Sequence, residues 1–146
     1  MESSYPAEFI NLDLEIKSHA DLSALAGHFG KEALVLFNDK IDDLYMLSIE
    51  PLVDQAFCNS ADQCASHFTK ILKSLPQDLR ELWDACTSRI FDFGYDGGLE
   101  TVPLSSDISS STLAEIAEIG ASIRITVYPF RKENVEEDKS RTEERD

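Results

Sequence analysis

Between Ile10 and Lys17 the chain alternates, with Ile10, Leu12, Leu14 and Ile16 on one side and Asn11, Asp13, Glu15 and Lys17 on the other. A period of two predicts a β-strand with one buried face. Met1 to Glu8, ahead of it, reads as a loose lead-in. The period then lengthens. Ser18 and Asp21 resemble a helix start, Leu22, Leu25, Ala26 and Phe29 make an apolar stripe, and Gly30 ends it. Ala33 to Phe37 is a continuous apolar run, consistent with a second strand. Asn38 to Asp43 is polar and turn-like. Leu44 to Ile49 predicts a third strand, paired to the second as a hairpin and closed by Pro51. Leu52 to Asn59 carries no assignable pattern.

Ser60 and Gln63 have the spacing of a capping box, and Cys64, Phe68, Ile71, Leu72 and Leu75 follow at helical spacing. Pro76 breaks this helix or starts the next turn, and Leu79, Leu82, Trp83 and Cys86 form a second short stripe. Ile90, Phe91 and Phe93 predict a fourth strand. Tyr95 to Gly98 reads as a tight hairpin turn, with Leu99 to Leu104 as its return strand. After the serine-rich loop from Ser105 to Ser111, Thr112 and Glu115 read as another capping box. Leu113, Ile116 and Ala117 follow, with Gly120 as the residue after the helix. Ser122 to Tyr128 alternates again, and Ile123, Ile125 and Val127 are expected on a buried face, opposite Arg124, Thr126 and Tyr128. Beyond Phe130 the chain is almost wholly charged or polar.

This order predicts one α+β domain over residues 1–130, followed by a charged, disordered tail over residues 131–146. The economical architecture is an antiparallel sheet with helices packed on one face, of the ferredoxin-like kind. A faint echo supports it: Leu22-x-x-Leu25-Ala26 before one strand matches Leu113-x-x-Ile116-Ala117 before another.

Charge changes the picture more than composition does. The 146 residues carry a formal net charge of −15. Such a field disfavours nonspecific binding to nucleic acid or anionic membrane and favours a basic partner. No apolar run is long enough to span a bilayer, and the N-terminus shows neither a basic nor an apolar leader segment. Three cysteines, Cys58, Cys64 and Cys86, fit a reducing cytoplasm, with Cys64 a free thiol in its apolar stripe.

No catalytic constellation is legible. His19, His28 and His67 fall on different elements, Cys58, Cys64 and His67 lack a zinc spacing, and Asp39, Asp42 and Asp43 lack the pattern of a calcium loop. There is no phosphate-binding or dinucleotide fingerprint and no nucleophile elbow. No catalytic residue, metal or cofactor is therefore expected. Asp39, Asp42 and Asp43 at one turn, and Asp92, Asp96 and Glu100 around the other, form acidic patches suited to a basic protein partner. Asp13 or Glu15 is expected to pair with Arg124 if their strands are neighbours. A second reading places a small apolar ligand between sheet and helices, against Phe29, Phe68 and Trp83.

One resemblance joins these features. The strand from Phe9 to Lys17, Asp21-Leu22, His67-Phe68 with Leu72, Leu79 and Leu82 with Trp83, and the closing Leu113…Gly120-Ala121-Ser122-Ile123…Tyr128 resemble an uncharacterised bacterial family. It is known only as a domain of unknown function, and some similar small proteins are candidate toxin-immunity proteins. The resemblance implies binding, with no catalytic residues to carry over. The expectation is an acidic immunity- or antitoxin-like inhibitor of a basic toxin, of which a nuclease is one type. The alternative is a small-molecule-binding regulatory domain.

Overall fold

The computed structural model describes residues 5–30, 32–52 and 60–130. Met1 to Ser4, the connector from residue 53 to 59 and the tail from residue 131 to 146 lie outside the described residues. Among the described residues nine elements follow one another: β1 (Glu8–Ser18), α1 (Ser23–His28), β2 (Ala33–Ile41), β3 (Leu44–Pro51), α2 (Ala61–Lys73), α3 (Gln77–Asp84), β4 (Ser88–Asp96), α4 (Ser110–Glu118) and β5 (Ser122–Tyr128). The five strands form one sheet in the order β2-β3-β1-β4-β5. Neighbours run antiparallel except β4 and β5, which are parallel. The fold is therefore α+β with a mixed sheet, which corrects the expected all-antiparallel one.

The strand alternation decides which face is buried. Leu12, Leu14 and Ile16 of β1, Leu47 and Ile49 of β3, and Phe91 and Phe93 of β4 are buried together. They meet Leu22, Leu25 and Phe29 from the α1 region, Cys64, Phe68 and Leu72 of α2, Trp83 of α3 and Ile116 of α4. Phe68 packs edge-on to Phe29 and tilted against Phe91. Burying each such side chain contributes roughly 1.5–3 kcal/mol. The register shifts between Phe9 and Asn11, and this bulge leaves Ile10 half exposed instead of buried.

Several local expectations change. The second strand continues through Asn38, Asp39 and Lys40, because β3 supplies a partner for each; only Asp42 and Asp43 make the turn. Asp42 sits at φ 56°, a conformation that aspartate tolerates better than most residues. Among the described residues no return strand follows β4, both of whose edges are taken, by β1 and β5. Leu99 instead donates its N–H to the Tyr5 carbonyl at 2.8 Å, so the lead-in from Tyr5 to Ala7 is tied down rather than loose.

The α4 cap is also shifted. Ser109 caps the helix by accepting from the Thr112 N–H at 3.2 Å, while Thr112 is buried. Glu115 reaches away from the cap and accepts from the Thr69 hydroxyl of α2 at 2.8 Å. The buried stripe is accordingly Thr112, Ile116 and Ile119, and Leu113 and Ala117 are exposed. At the other end Gly120, at φ 75°, donates to Ala117, and Ala121 donates to Ile116. These two bonds form a Schellman cap, as the glycine suggested. The α2 cap is closer to expectation, since Ser60 accepts from the Gln63 N–H at 3.2 Å.

The ends of α3 and α4 are locked by one cation. The Arg89 side chain donates to the carbonyls of Trp83 (3.1 Å), Cys86 (2.9 Å) and Gly120 (2.9 Å). Its guanidinium lies 5.9 Å from the Trp83 ring centre, and the Trp83 indole N–H donates to the Ile119 carbonyl at 2.8 Å. A fixed positive charge at two helix C-termini also complements their dipoles.

Candidate functional site

The face of the sheet opposite the core has no covering layer among the described residues, and its chemistry is set by register. Asp13 on β1 lies opposite Asp92 on β4, and Asp92 lies opposite Arg124 on β5. Glu50 on β3 is one step beyond the Leu14–Ile49 pair, which puts it on the other side of Asp13. Four strands thus place Glu50, Asp13, Asp92 and Arg124 in one row. Like charges directly opposite one another destabilise a sheet, so the row stores repulsion that Arg124 only partly relieves.

The relief is uneven. Asp92 accepts from the Thr126 hydroxyl at 2.7 Å and lies 3.9 Å from the Arg124 guanidinium. Arg124 also donates to Glu15, reaching over β4 to do so. The predicted ion pair therefore forms although β1 and β5 are not neighbours; arginine's length replaces adjacency. Asp13 is left between two carboxylates with the Asn11 amide 3.5 Å away. Burial, with Glu50 and Asp92 beside it, pushes its carboxyl up to about 6. Gly94, opposite Asn11, makes room for that amide: a side chain there would come within 2.6 Å of the Asn11 oxygen.

The six acidic residues picked from the sequence divide between this face and its margins. Asp92 belongs to the central row. Asp39 pairs with Met46 across β2 and β3, on the same face. Asp42 and Asp43 form the hairpin tip and line a hollow of about 300 Å³ with Lys17, Ile41, Leu44 and Met46. Asp96 is turned to local use, accepting from the Gly98 N–H at 2.8 Å. Glu100 lies off the sheet, in the exposed segment after β4. Asp13 and Glu50, which make the row, were not among the six. The alternation of β3 carried the signal for Glu50, because it shares parity with Met46 and Ser48.

The aromatic residues expected to line a ligand pocket, Phe29, Phe68 and Trp83, are fully buried core. Cys64 is buried and disulfide-bonded, which corrects its reading as a free thiol, whereas Cys86 is free and buried. Among the described residues no group of three or more His, Cys, Asp and Glu side chains is placed to hold a metal ion. No helix among them is long and apolar enough to cross a membrane. Comparison with family models, curated proteins and solved structures returns no match.

Proposed function

We propose that the protein works by binding rather than catalysis, and that its uncovered sheet face receives a basic protein, as an immunity- or antitoxin-like inhibitor receives a toxin. One observation carries this reading: the register lines up the like charges of Glu50, Asp13 and Asp92 across three strands, which costs the sheet repulsion that Arg124 only partly relieves. A cationic partner would convert that repulsion into attraction on docking. The net charge of −15 extends the same field to long range. Within this reading, β1 to β4 with their helices form a ferredoxin-like β-α-β-β-α-β unit, extended at one edge by α4 and β5.

The shifted carboxyl of Asp13 is also what an acid–base catalyst would need. It sits partly buried on the sheet face that no other described element covers, which favours binding over catalysis. A small-molecule regulatory domain has less support, because Phe29, Phe68 and Trp83, the side chains expected to line its pocket, are fully buried core.

The test is capture and protection. The wild-type chain is expected to retain a basic protein that the triple variant Asp39→Asn, Glu50→Gln, Asp92→Asn loses. Co-expression of the wild type is expected to relieve that protein's toxicity. Capture indifferent to the three substitutions, or a captured partner that remains fully toxic, overturns the proposal.

A further inference from the structure

We propose that the hollow at the β2–β3 end of the open face is the anchor point for a single arginine side chain presented by the basic partner; this rests on the binding reading above. The hollow has about 300 Å³, formed by Ile41, Leu44 and Met46 with Asp42 and Asp43, and Lys17 stands at its side. That volume lies at the bottom of the roughly 300–1,000 Å³ range of small-molecule sites. It suits one long side chain better than a metabolite.

The lining selects among side chains. An apolar wall takes an aliphatic stem, and two adjacent carboxylates favour a cation at its end. Arginine answers both requirements. Its guanidinium is weakly hydrated, always charged, and can meet two carboxylates from one plane. Arginine is also among the residues that most often dominate binding energy at interfaces. Asp39, on the same face and opposite Met46, adds a third negative charge beside the hollow. Lys17 is the competing charge, and it is drawn off towards Glu15, 3.7 Å from its ammonium.

The occupant's chemistry can be tested without knowing the partner. The full 146-residue chain is titrated with millimolar butylguanidinium, which has both stem and charge, and with guanidinium or butan-1-ol, which each have one. Backbone and methyl NMR shifts provide the readout. Butylguanidinium is expected to produce saturable shifts centred on Ile41 to Met46. The double variant Asp42→Asn, Asp43→Asn is expected to weaken it by about threefold or more, because two charges beside the site are lost. Asparagine at position 42 keeps the positive φ of the turn accessible. The equally neutralising pair Asp78→Asn, Glu81→Gln on α3 is expected to leave it unchanged. Lys17→Met removes the competing cation and is expected to tighten binding about twofold or more.

Butan-1-ol matching butylguanidinium, or Lys17→Met weakening it, overturns the arginine assignment. Shifts spread evenly over Asp13, Asp39, Glu50 and Asp92 overturn the anchor while leaving the acidic face as a binding surface. Shifts at no acidic residue with either cation overturn the anchor, while the capture experiment decides the binding face.

Discussion

Asp13 and Arg89 show how the same sheet holds one charge badly and another well. Asp13 lies between Glu50 and Asp92, and its carboxyl is raised to about 6 from an ordinary value of 3.8. The folded state therefore holds this proton more tightly than the unfolded chain does. Stability contributed by the proton is fully present below pH 3.8 and is lost as pH rises to about 6, and the penalty persists above that. Asp13→Asn is expected to remove the penalty. For this partly buried carboxylate, discounted for solvent screening, the gain at pH 7.5 is on the order of 1 kcal/mol. Urea denaturation from pH 4 to 8 checks it (a variant no more stable than wild type at pH 7.5 would remove Asp13 as a source of stored repulsion). Arg89 is the opposite case, since its donors meet the carbonyls of Trp83, Cys86 and Gly120. Arg89→Ala is expected to cost about 2–3 kcal/mol, and Arg89→Lys to recover less than half, because a point charge cannot span three carbonyls. Loss below about 0.5 kcal/mol in thermal or denaturant unfolding would show that water replaces the clamp.

At the scale of elements, the chain announces strands and helices wherever the information is local. The alternation of β1 from Leu12 to Ile16, the stripes of α2 and α3 and the glycine after α4 are where their residues suggested, and the β2–β3 hairpin forms with a tighter turn than expected. What the sequence withheld depends on neighbours. Ile123, Ile125 and Val127 do share the helix-side face, but β5 is an edge strand, and Ile125 and Val127 remain 56% and 62% exposed. Periodicity reports which residues share a face, while burial depends on whether another layer reaches it. The expected return strand from Leu99 failed for a related reason: a turn signal cannot reveal that both edges of β4 are occupied. The acidic face was half legible in the same way. Each carboxylate's parity could be read, but the row emerged only once three strands were set in register. Gly98 gives this level its prediction. It sits at φ 63°, and a methyl group there would come within 2.6 Å of backbone atoms of Tyr5, Pro6 and Ala7. Gly98→Ala is expected to displace the Tyr5–Ala7 segment and cost about 1–3 kcal/mol. Hydrogen exchange at Leu99, whose N–H is held by Tyr5, is expected to rise first. Unchanged protection there would mean the segment adapts without release.

For the whole molecule, the question is which part of the charge does the steering. The tail from residue 131 to 146 contains five basic and seven acidic residues, so it contributes only −2 of the −15. The remaining −13 belongs to residues 1–130, and its carboxylates on the open face are those a docking partner would meet. A field of that origin reaches about 8 Å at physiological ionic strength and shrinks as salt rises. Association with a captured basic partner is therefore expected to slow by about tenfold or more between low and high salt, while dissociation changes much less. A chain ending at Phe130 is expected to keep the same salt slope and an affinity within a few-fold, since the steering charge is still present. The Asp39→Asn, Glu50→Gln, Asp92→Asn variant is expected to flatten the slope, although it changes net charge by only three units of fifteen. Surface-plasmon kinetics on the three chains across a salt series separates these cases. A slope that follows total charge alone would assign the steering to the molecule as a whole. Binding abolished by truncation would move recognition from the sheet face to the tail.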